Sequence, residues 1–588
     1  MLLCASLAPV VVCAQEQTDA QQGIEYEPKI EGLEGSLLDT AKQSLNLFRL
    51  QDRKPSSLAA LRARLDADLE IIEKVLKSEG YYGFRIDHRI DATQKPVSVQ
   101  ITVDPGPAYK LARYDIHYVD ADGSKLPNDL KKIGITLGEP ARAETIVNAQ
   151  SQLIRLLGEQ GHPYAAVEDR TVLVRHADKT VTVSLDVHAG PAVVFGPLIV
   201  KGNERVESAY IQRLADLHRG DIFNLSKIDD ARRRLFGTGL FDTVTLTRPQ
   251  TYPGQAQLPM TIEVKERAVR SVALGGFYST TDGAGVESSW THRNLFGQGE
   301  RVELGARVAE REVSGYADFL KPNVGQLDQN ITGRADLKEQ ETDAYDQSSL
   351  AGAVGVQRKL SEHWKGSLAT AAEATRIRET DNPPDKRYVI LGFPAQLAYD
   401  GSNDLFDPSE GVRVTFDASP NQVFGDSTAR FLLGSIAGSV YHEVWPEKRV
   451  ILAARGHVAS LVGADVEDIP ASRRLYAGGG GSVRGYAYQS VGPLDANNKP
   501  TGGLSLVETS LEARIRITDT IGVVPFVDGG SVSEDTWPTG DSFQWAAGLG
   551  LRYYTPIGPL RLDVAFPLNR RPGVDDTYAI YVSLGQAF

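Results

Sequence analysis

From about Arg270 to the last residue, Phe588, the chain alternates. Val302, Leu304, Ala306 and Val308 interleave with Glu303, Gly305 and Arg307, and Val412, Val414 and Phe416 with Arg413, Thr415 and Asp417. Leu560, Leu562, Val564 and Phe566 interleave with Arg561, Asp563 and Ala565 in the same way. A period of two sends successive side chains to opposite faces of a strand, so one face is apolar and the other carries charge. In a soluble sandwich the apolar face is the core; in a membrane barrel it meets lipid while the polar face lines the lumen. Length and edges favour the barrel. About 320 residues at roughly 20 per strand and turn make about 16 antiparallel strands, and closure removes the edges that so many strands would expose. Tyr553, Tyr554, Phe566 and Phe588 near strand ends suit interfacial girdles.

Hydropathy is compatible with this. The chain is 41% apolar, its mean hydropathy is -0.25, and it has no apolar run of about 20 residues, so no spanning helix is expected. Barrel strands leave hydropathy nearly flat. A net charge of -13 argues against a nucleic-acid partner, which requires a basic face. Residues 1–14 end Val10-Val11-Val12-Cys13-Ala14 and read as a secretory signal cut after Ala14, although the positive first region is missing and points to a start further upstream. Cys13 as a lipoprotein cysteine is the weaker alternative, because no small residue precedes it. Cys4 and Cys13 are the two cysteines of the chain, so the exported part has neither disulfides nor thiol chemistry.

Ahead of the alternating region the chain repeats itself. Gly80-Tyr81-Tyr82, Gly161-His162-Pro163-Tyr164 and Gly239-Leu240-Phe241 each follow a helical pattern, at intervals of 81 (161 − 80) and 78 (239 − 161) residues. Glycine just past a helix takes the left-handed C-cap that other residues resist. Leu58, Leu61, Leu65, Leu69, Ile72 and Leu76 form one apolar stripe; Ile146, Leu153 and Leu157 repeat it in the second unit, and Ile228, Leu235 and Phe236 in the third. Alternating segments follow at Val97–Val103, Val181–Val187 and Met260–Glu266. Each unit reads strand, helix, helix, strand, strand.

A glycine-rich run, Ala477 to Ser482, leads into Val483-Arg484-Gly485-Tyr486, and Phe526-Val527-Asp528-Gly529-Gly530 follows in a strand. An arginine inside a barrel is costly unless a carboxylate meets it, so Arg484 and Asp528 make a plausible buried pair. Without Asp528 and the alternating strands, the same run reads as a flexible linker with an exposed arginine.

Taken together, these marks resemble the Omp85 superfamily of outer-membrane barrels. Val483-Arg484-Gly485-Tyr486 is similar to its VRG[FY] loop and Phe526–Gly530 to its FxDxG strand. Asn294–Glu300 is similar to its first hairpin, the stretch from Asp400 to Asp407-Pro408-Ser409-Glu410-Gly411 to its D…DPxxG turn, and Gly548–Asp563 to its penultimate hairpin. The three repeats resemble POTRA (polypeptide-transport-associated) domains, with Gly202-Asn203 as the turn after a first strand. The resemblance implies three periplasmic POTRA modules of β-α-α-β-β order, at 25–111, 112–193 and 194–267, followed by a transmembrane barrel over 268–588. It further implies that the Arg484 loop folds into the lumen and meets Asp528 and Glu512.

The last strand, with Tyr578, Ile580, Val582, Leu584 and Phe588 on one face, resembles a C-terminal assembly signal interrupted by Gln586. A kink at Gly585 and weak pairing with the first strand, near Val272 to Phe277, would make a lateral gate. The implied function is insertion or folding of outer-membrane proteins, autotransporters in particular, within the lipid bilayer. Three modules resemble the translocation-and-assembly branch, implying an inner-membrane-anchored TamB-like partner on the first module. A secretion pore of the two-partner type, or a passive envelope tether or lipid-transport subunit, are the alternatives. No HExxH, GxSxG or phosphate loop with its lysine occurs, and the ten histidines lack ligand spacing, so neither an enzyme nor a cofactor is expected.

Overall fold

The computed structural model describes residues 23–279, 283–379, 382–538, 543–555 and 558–588. The expected signal at 1–14, with Cys4 and Cys13, lies outside them. The chain divides into two compact units. Residues up to Ile199, with Asp216–Arg232 and Leu246–Ile262, form the first; Val200–Ala215, Arg233–Thr245 and Glu263–Phe588 form the second.

Three small sheets come first. In the first module β1 (Tyr26–Glu31) precedes α1 (Gly35–Ser44), α2 (Asn46–Arg49) and α3 (Leu58–Ser78), and β2 (Arg85–Asp91) and β3 (Val97–Asp104) follow. Its sheet order is β1-β3-β2, with β1 parallel to β3 and β2 at the edge. Ser57 Oγ caps α3 by accepting from Ala60 N at 3.2 Å. Leu61, Leu65, Ile72 and Leu76 are buried from one face of α3, with Leu58 and Leu69 packed beside them.

The second module has β4 (Lys110–Tyr118), α4 (Ala143–Glu159), β5 (Ala166–Arg175) and β6 (Thr180–His188), ordered β4-β6-β5. Here the expected first helix is reduced to a short 3-10 turn at Gly123–Lys125 and further turns. Pro127, Gly134, Gly138 and Pro140 punctuate that stretch and prevent a continuous helix, yet Ile133 and Ile135 still reach the core.

The third module has β7 (Val194–Lys201), α5 (Ser208–Ala215), α6 (Leu225–Gly237), β8 (Phe241–Thr247) and β9 (Gln257–Glu266), ordered β7-β9-β8. Phe236, expected in the core, is 54% exposed. Ala231 and Leu235 take the buried stripe of α6, and Phe236 stands about 100° further round. Gly80, Gly161 and Gly239, just past α3, α4 and α6, all have positive φ.

The rest is one antiparallel sheet of 17 segments in sequence order. It runs through β10 (Arg270–Ser279), β11 (Gly283–Arg293), β12 (Arg301–Ala309), β13 (Glu312–Lys321), β14 (Gln329–Glu341) and β15 (Tyr345–Lys359). There follow β16 (Trp364–Glu379), β17 (Asn382–Gly392), β18 (Ala395–Asp400), β19 (Gly411–Gly425), β20 (Ala429–Trp445) and β21 (Val450–Val462). The last five are β22 (Ser505–Arg516), β23 (Ile521–Ser533), β24 (Gln544–Tyr553), β25 (Leu560–Pro567) and β26 (Ala579–Leu584). β17 and β18 both pair with β16 and both pair with β19, so they are halves of one strand. Pro394, which has no N–H to donate, marks the break. Seventeen segments with two sharing a place make 16 strands.

Leu304, Val308, Val412, Phe416, Leu562 and Phe566 are all exposed on the outer wall, while the alternate positions face inward. The fold is therefore three POTRA-type modules followed by an antiparallel transmembrane barrel. No helix among the described residues is long and apolar enough to cross a membrane.

Candidate functional site: a buried charge network beside the barrel seam

Between β21 and β22 the chain enters the lumen as a long loop. Small apolar contacts seat it there: Val483, Tyr486 and Val491 pack with Leu506, Val532 and Ala546 from the wall. The central contact is ionic. Arg484, 2% exposed, spends all five of its N–H donors. Nε donates to Asp528 Oδ2 at 2.6 Å, and Nη2 to Asp528 Oδ1 at 2.8 Å and Ser510 Oγ at 3.2 Å. Nη1 donates to Glu512 Oε1 at 2.8 Å and to Asp563 Oδ2 at 2.9 Å. The main-chain N–H of Arg484 adds a bond to Asp528 Oδ2 at 3.1 Å, and the guanidinium lies 3.4 Å from the Phe526 ring centroid. A planar fork that never deprotonates suits this site, where a lysine has one donor centre for three carboxylates.

The network extends beyond that trio. Asp563 also takes Arg552 Nη1 at 2.5 Å and lies 2.9 Å from Arg561 Nε. Glu512 also meets Arg514 Nε at 3.2 Å. Four arginines thus share three carboxylates, with all seven side chains buried on β22 to β25 and the loop. Removing one member of such a set strands a charge in low dielectric, at about 3–5 kcal/mol. Sequence reasoning reached Arg484, Glu512 and Asp528, and the structure brings these three together. It did not reach Asp563, Arg514, Arg552 or Arg561. The period-two pattern places all four on the inner face; which inner residues meet depends on cross-strand register.

The loop is also tied to the last strand. Tyr581 Oη accepts from Gly485 N at 3.0 Å and donates to the Tyr486 carbonyl at 3.1 Å. Tyr486 Oη in turn reaches the Trp545 carbonyl at 3.0 Å and Asn569 Oδ1 at 2.8 Å.

At the seam, β26 is in register with β25 from Ala565↔Ala579 to Leu560↔Leu584, and β10 with β11 from Arg270↔His292 to Ser279↔Gly283. β10 and β26 approach each other, but among the described residues no ladder register joins them. Val272, 76% exposed, lies on the outer face of β10. Phe277 lies on the inner face under the Arg307 guanidinium, 4.2 Å from its centroid, so the two do not share a surface.

Phe588 departs from its expected place. The strand ends at Leu584, Gly585 has φ +96°, and the chain turns inward. Gln586 Nε2 then donates to Asp407 Oδ1 at 2.9 Å, and Arg514 Nη2 to the Phe588 carbonyl at 2.8 Å. The Phe588 ring lies 6.4 Å from that of Tyr441, inside the barrel. Tyr578, Ile580 and Val582 keep the outer face that Phe588 leaves.

Comparison with known proteins agrees with this architecture. An Omp85 superfamily domain model matches residues 294–588, a surface-antigen variable-number-repeat POTRA model matches 193–267, and a model of POTRA domain 1 of TamA matches 27–105. The outer membrane protein assembly factor BamA of Nitratidesulfovibrio vulgaris is 23% identical over 551 residues, 89% of this chain and 68% of the relative. That of Neisseria meningitidis serogroup B is 21% identical over 584 residues, 89% of this chain and 72% of the relative. The crystal structure of BamA from Haemophilus ducreyi lacking POTRA domains 1–3 superposes with a TM-score of 0.69 at 19% identity, over 81% of this chain and 99% of that one. With the Omp85 domain model spanning half of its length, this outer-membrane barrel with periplasmic POTRA modules belongs to the Omp85 superfamily.

Proposed function

We propose that the chain inserts and folds other outer-membrane barrel proteins through the β10–β26 seam, without a cofactor. The observation that carries this reading is the seam itself. Each neighbouring pair of strands from β10 to β26 shares a ladder, whereas the two ends of the sheet meet with no register between them among the described residues. Strand edges with free N–H and C=O groups template a client's strands, and within lipid no water competes for them. The edge strands β2 and β8 offer the same chemistry to an extended client in the periplasm. Membership of a superfamily whose curated relatives are named assembly factors supports the same direction.

In finer detail, the match of a TamA POTRA 1 model to the first module supports a TamA-like role with a TamB-like, inner-membrane-anchored partner and autotransporter clients. In this reading Arg484, Glu512 and Asp528 hold the lumenal loop that stiffens β22 to β25 behind the moving seam. Gly585, still bonded through its N–H to the Pro559 carbonyl at 2.8 Å, turns residues 586–588 away from the ladder.

A set of cysteine pairs placed between Ala273–Phe277 and Ile580–Val582 tests the proposal. Locking the seam by disulfide is expected to stop insertion of a model autotransporter and reduction to restore it. Insertion that continues through a locked seam overturns the gate; transport across the membrane through the locked barrel would identify a secretion pore instead. Pull-down of a TamB-like partner lost on deletion of residues 25–111 tests the finer assignment.

A further inference from the structure

We propose that the periplasmic rim of the barrel holds an anionic phospholipid of the inner leaflet, with its phosphate in a cationic cleft beneath β12 to β16 and its acyl chains on the adjoining outer wall. This site does not depend on the insertase reading.

The cleft has a volume of about 600 Å³ and lies wholly within the second unit. Arg234 of α6 lines it, together with Arg293, Arg301, Arg358, Lys359 and Lys365 from the periplasmic ends of β11, β12, β15 and β16; Asp328 is the one carboxylate in the lining. Two features of the register make this cluster unusual. Arg293 stands directly opposite Arg301, and Lys359 directly opposite Lys365. Like charges facing each other across a ladder destabilise it unless an anion lies between them. Arg301, Arg358, Lys359 and Lys365 form no ion pair with a carboxylate among the described residues. Four of the six cations that line the cleft thus stand without a carboxylate partner among the described residues, and Asp328 is the one acid beside them.

Its surroundings select a lipid over a free anion. Arg358 also borders a second groove, of about 490 Å³, lined by Val356, Leu360, Leu368, Leu397 and Phe416 on the outer wall. Leu360 and Leu368 are 57% and 68% exposed there. Trp364 and Tyr399, with ring centroids 5.1 Å apart, stand at the same strand ends, where aromatic residues mark the boundary between headgroups and hydrocarbon. Arg358, on the outer face beside Val356, lines both the cleft and the apolar groove, while Arg293, Arg301, Lys359 and Lys365 stand on the inner face of the same strand ends. An acyl chain leaving a bound phosphodiester has that groove directly beside it.

The test uses the purified full-length chain, reconstituted in vesicles of equal phosphatidylcholine and phosphatidylglycerol, then extracted and weighed by native mass spectrometry. Phosphatidylglycerol is expected to be retained in preference to phosphatidylcholine. Arg358→Gln with Lys365→Gln is expected to bind it roughly thirtyfold more weakly, at about fivefold per surface cation. Excess inorganic phosphate is expected to leave the lipid in place. Equal retention of both lipids, or unchanged binding in a double variant that keeps its heat-modifiable barrel, overturns the proposal. Displacement by inorganic phosphate also overturns it, in favour of a free-anion site. If the double variant fails to fold, Lys365→Gln alone carries the test: binding about fivefold weaker supports the site and unchanged binding refutes it.

Discussion

On one flank of the seam, β26 is held from inside the barrel. Tyr581 bonds to the lumenal loop through Gly485 and Tyr486, Gln586 reaches Asp407, and Arg514 takes the Phe588 carbonyl. On the other flank, β10 presents Val272 and Leu274, 76% and 82% exposed, followed by two adjacent glycines, Gly275 and Gly276. Its side-chain contacts include a bond from Arg293 Nη2 to Ser271 Oγ, 3.0 Å long, near its periplasmic end, and the Phe277 ring under the Arg307 guanidinium. The two flanks differ in what opening would cost. Moving β26 breaks buried polar contacts that water does not replace; moving β10 shifts Val272 and Leu274 within lipid and disturbs the contacts of Ser271 and Phe277. The comparison predicts that β10 is the mobile partner and β26 the fixed one.

The largest expected effect tests whether the fixed flank depends on the ion network. Asp528→Asn leaves Arg484 short of a carboxylate, and the barrel is expected to lose about 3–5 kcal/mol, read as a lower urea midpoint and loss of heat-modifiability. Arg484→Lys should fall nearly as far, because one ammonium cannot serve the places of five donors. A reciprocal swap, Arg484→Glu with Asp528→Arg, is not expected to recover, since the new carboxylate in the loop would face Glu512 and Asp563. Full stability in Asp528→Asn would break the comparison at its root.

Gly550→Ala is the next step down. A methyl at this position meets Asp563 and Arg552, and overpacking a buried site typically costs about 1–3 kcal/mol; the same unfolding assay measures it. Gly434→Ala, at an open position of β20, is the control expected to change little.

Tyr581→Phe sharpens the comparison without disturbing the charges. It leaves the Gly485 N–H without its partner, about 1–3 kcal/mol for a buried group, while the Tyr486 carbonyl keeps the Gly479 N–H at 3.2 Å. The expected readout is local: spin labels on β26 become mobile while labels on β10 do not change. If labels on β10 respond instead, the fixed and mobile sides are reversed.

The smallest effect lies outside the membrane. Burial pushes the Glu266 carboxyl up, but donation from the N–H groups of Glu204, Arg205 and Val206 outweighs it and holds the group below the usual carboxylate range. A depressed folded value means that the stabilisation is present above about pH 4.3 and is lost as the pH falls through the lower folded value. Glu266→Gln should therefore weaken the turn before α5 at pH 7 and make little difference near pH 3. Amide exchange at residues 204–206 measures this.

Much of this was legible from residues alone, for reasons that differ by region. Gly80, Gly161 and Gly239 mark helix ends because few other residues accept positive φ, and strand alternation shows because a lipid face tolerates few charges. Arg484 and Asp528 were visible because each sits in a short, distinctive run. Asp563 and Arg552 were not, although their faces were, because alternation specifies a side of the wall and not which residues meet across it. Phe588 was misplaced on the outer face because a period-two count carries straight through Gly585, where the backbone does not. Phe236 lies one helical step from Leu235, beyond the resolution of a three-and-four count. The absent first helix of the second module was signalled by Pro127, Gly134 and Pro140, whose effect the repeat obscured.

The lumenal network also sets an order of events. Arg484 waits for Glu512, Asp528 and Asp563, and Gly485 for Tyr581, 28 to 96 residues later in the chain. Contacts between such distant segments form only after the loop-closure entropy has been met. The last tie, from Gly485 to Tyr581, can therefore form only once the final strand has arrived, so that bond reports a finished wall. A chain stalled short of β26 already carries Glu512, Asp528 and Asp563 for Arg484, but leaves the Gly485 N–H without Tyr581.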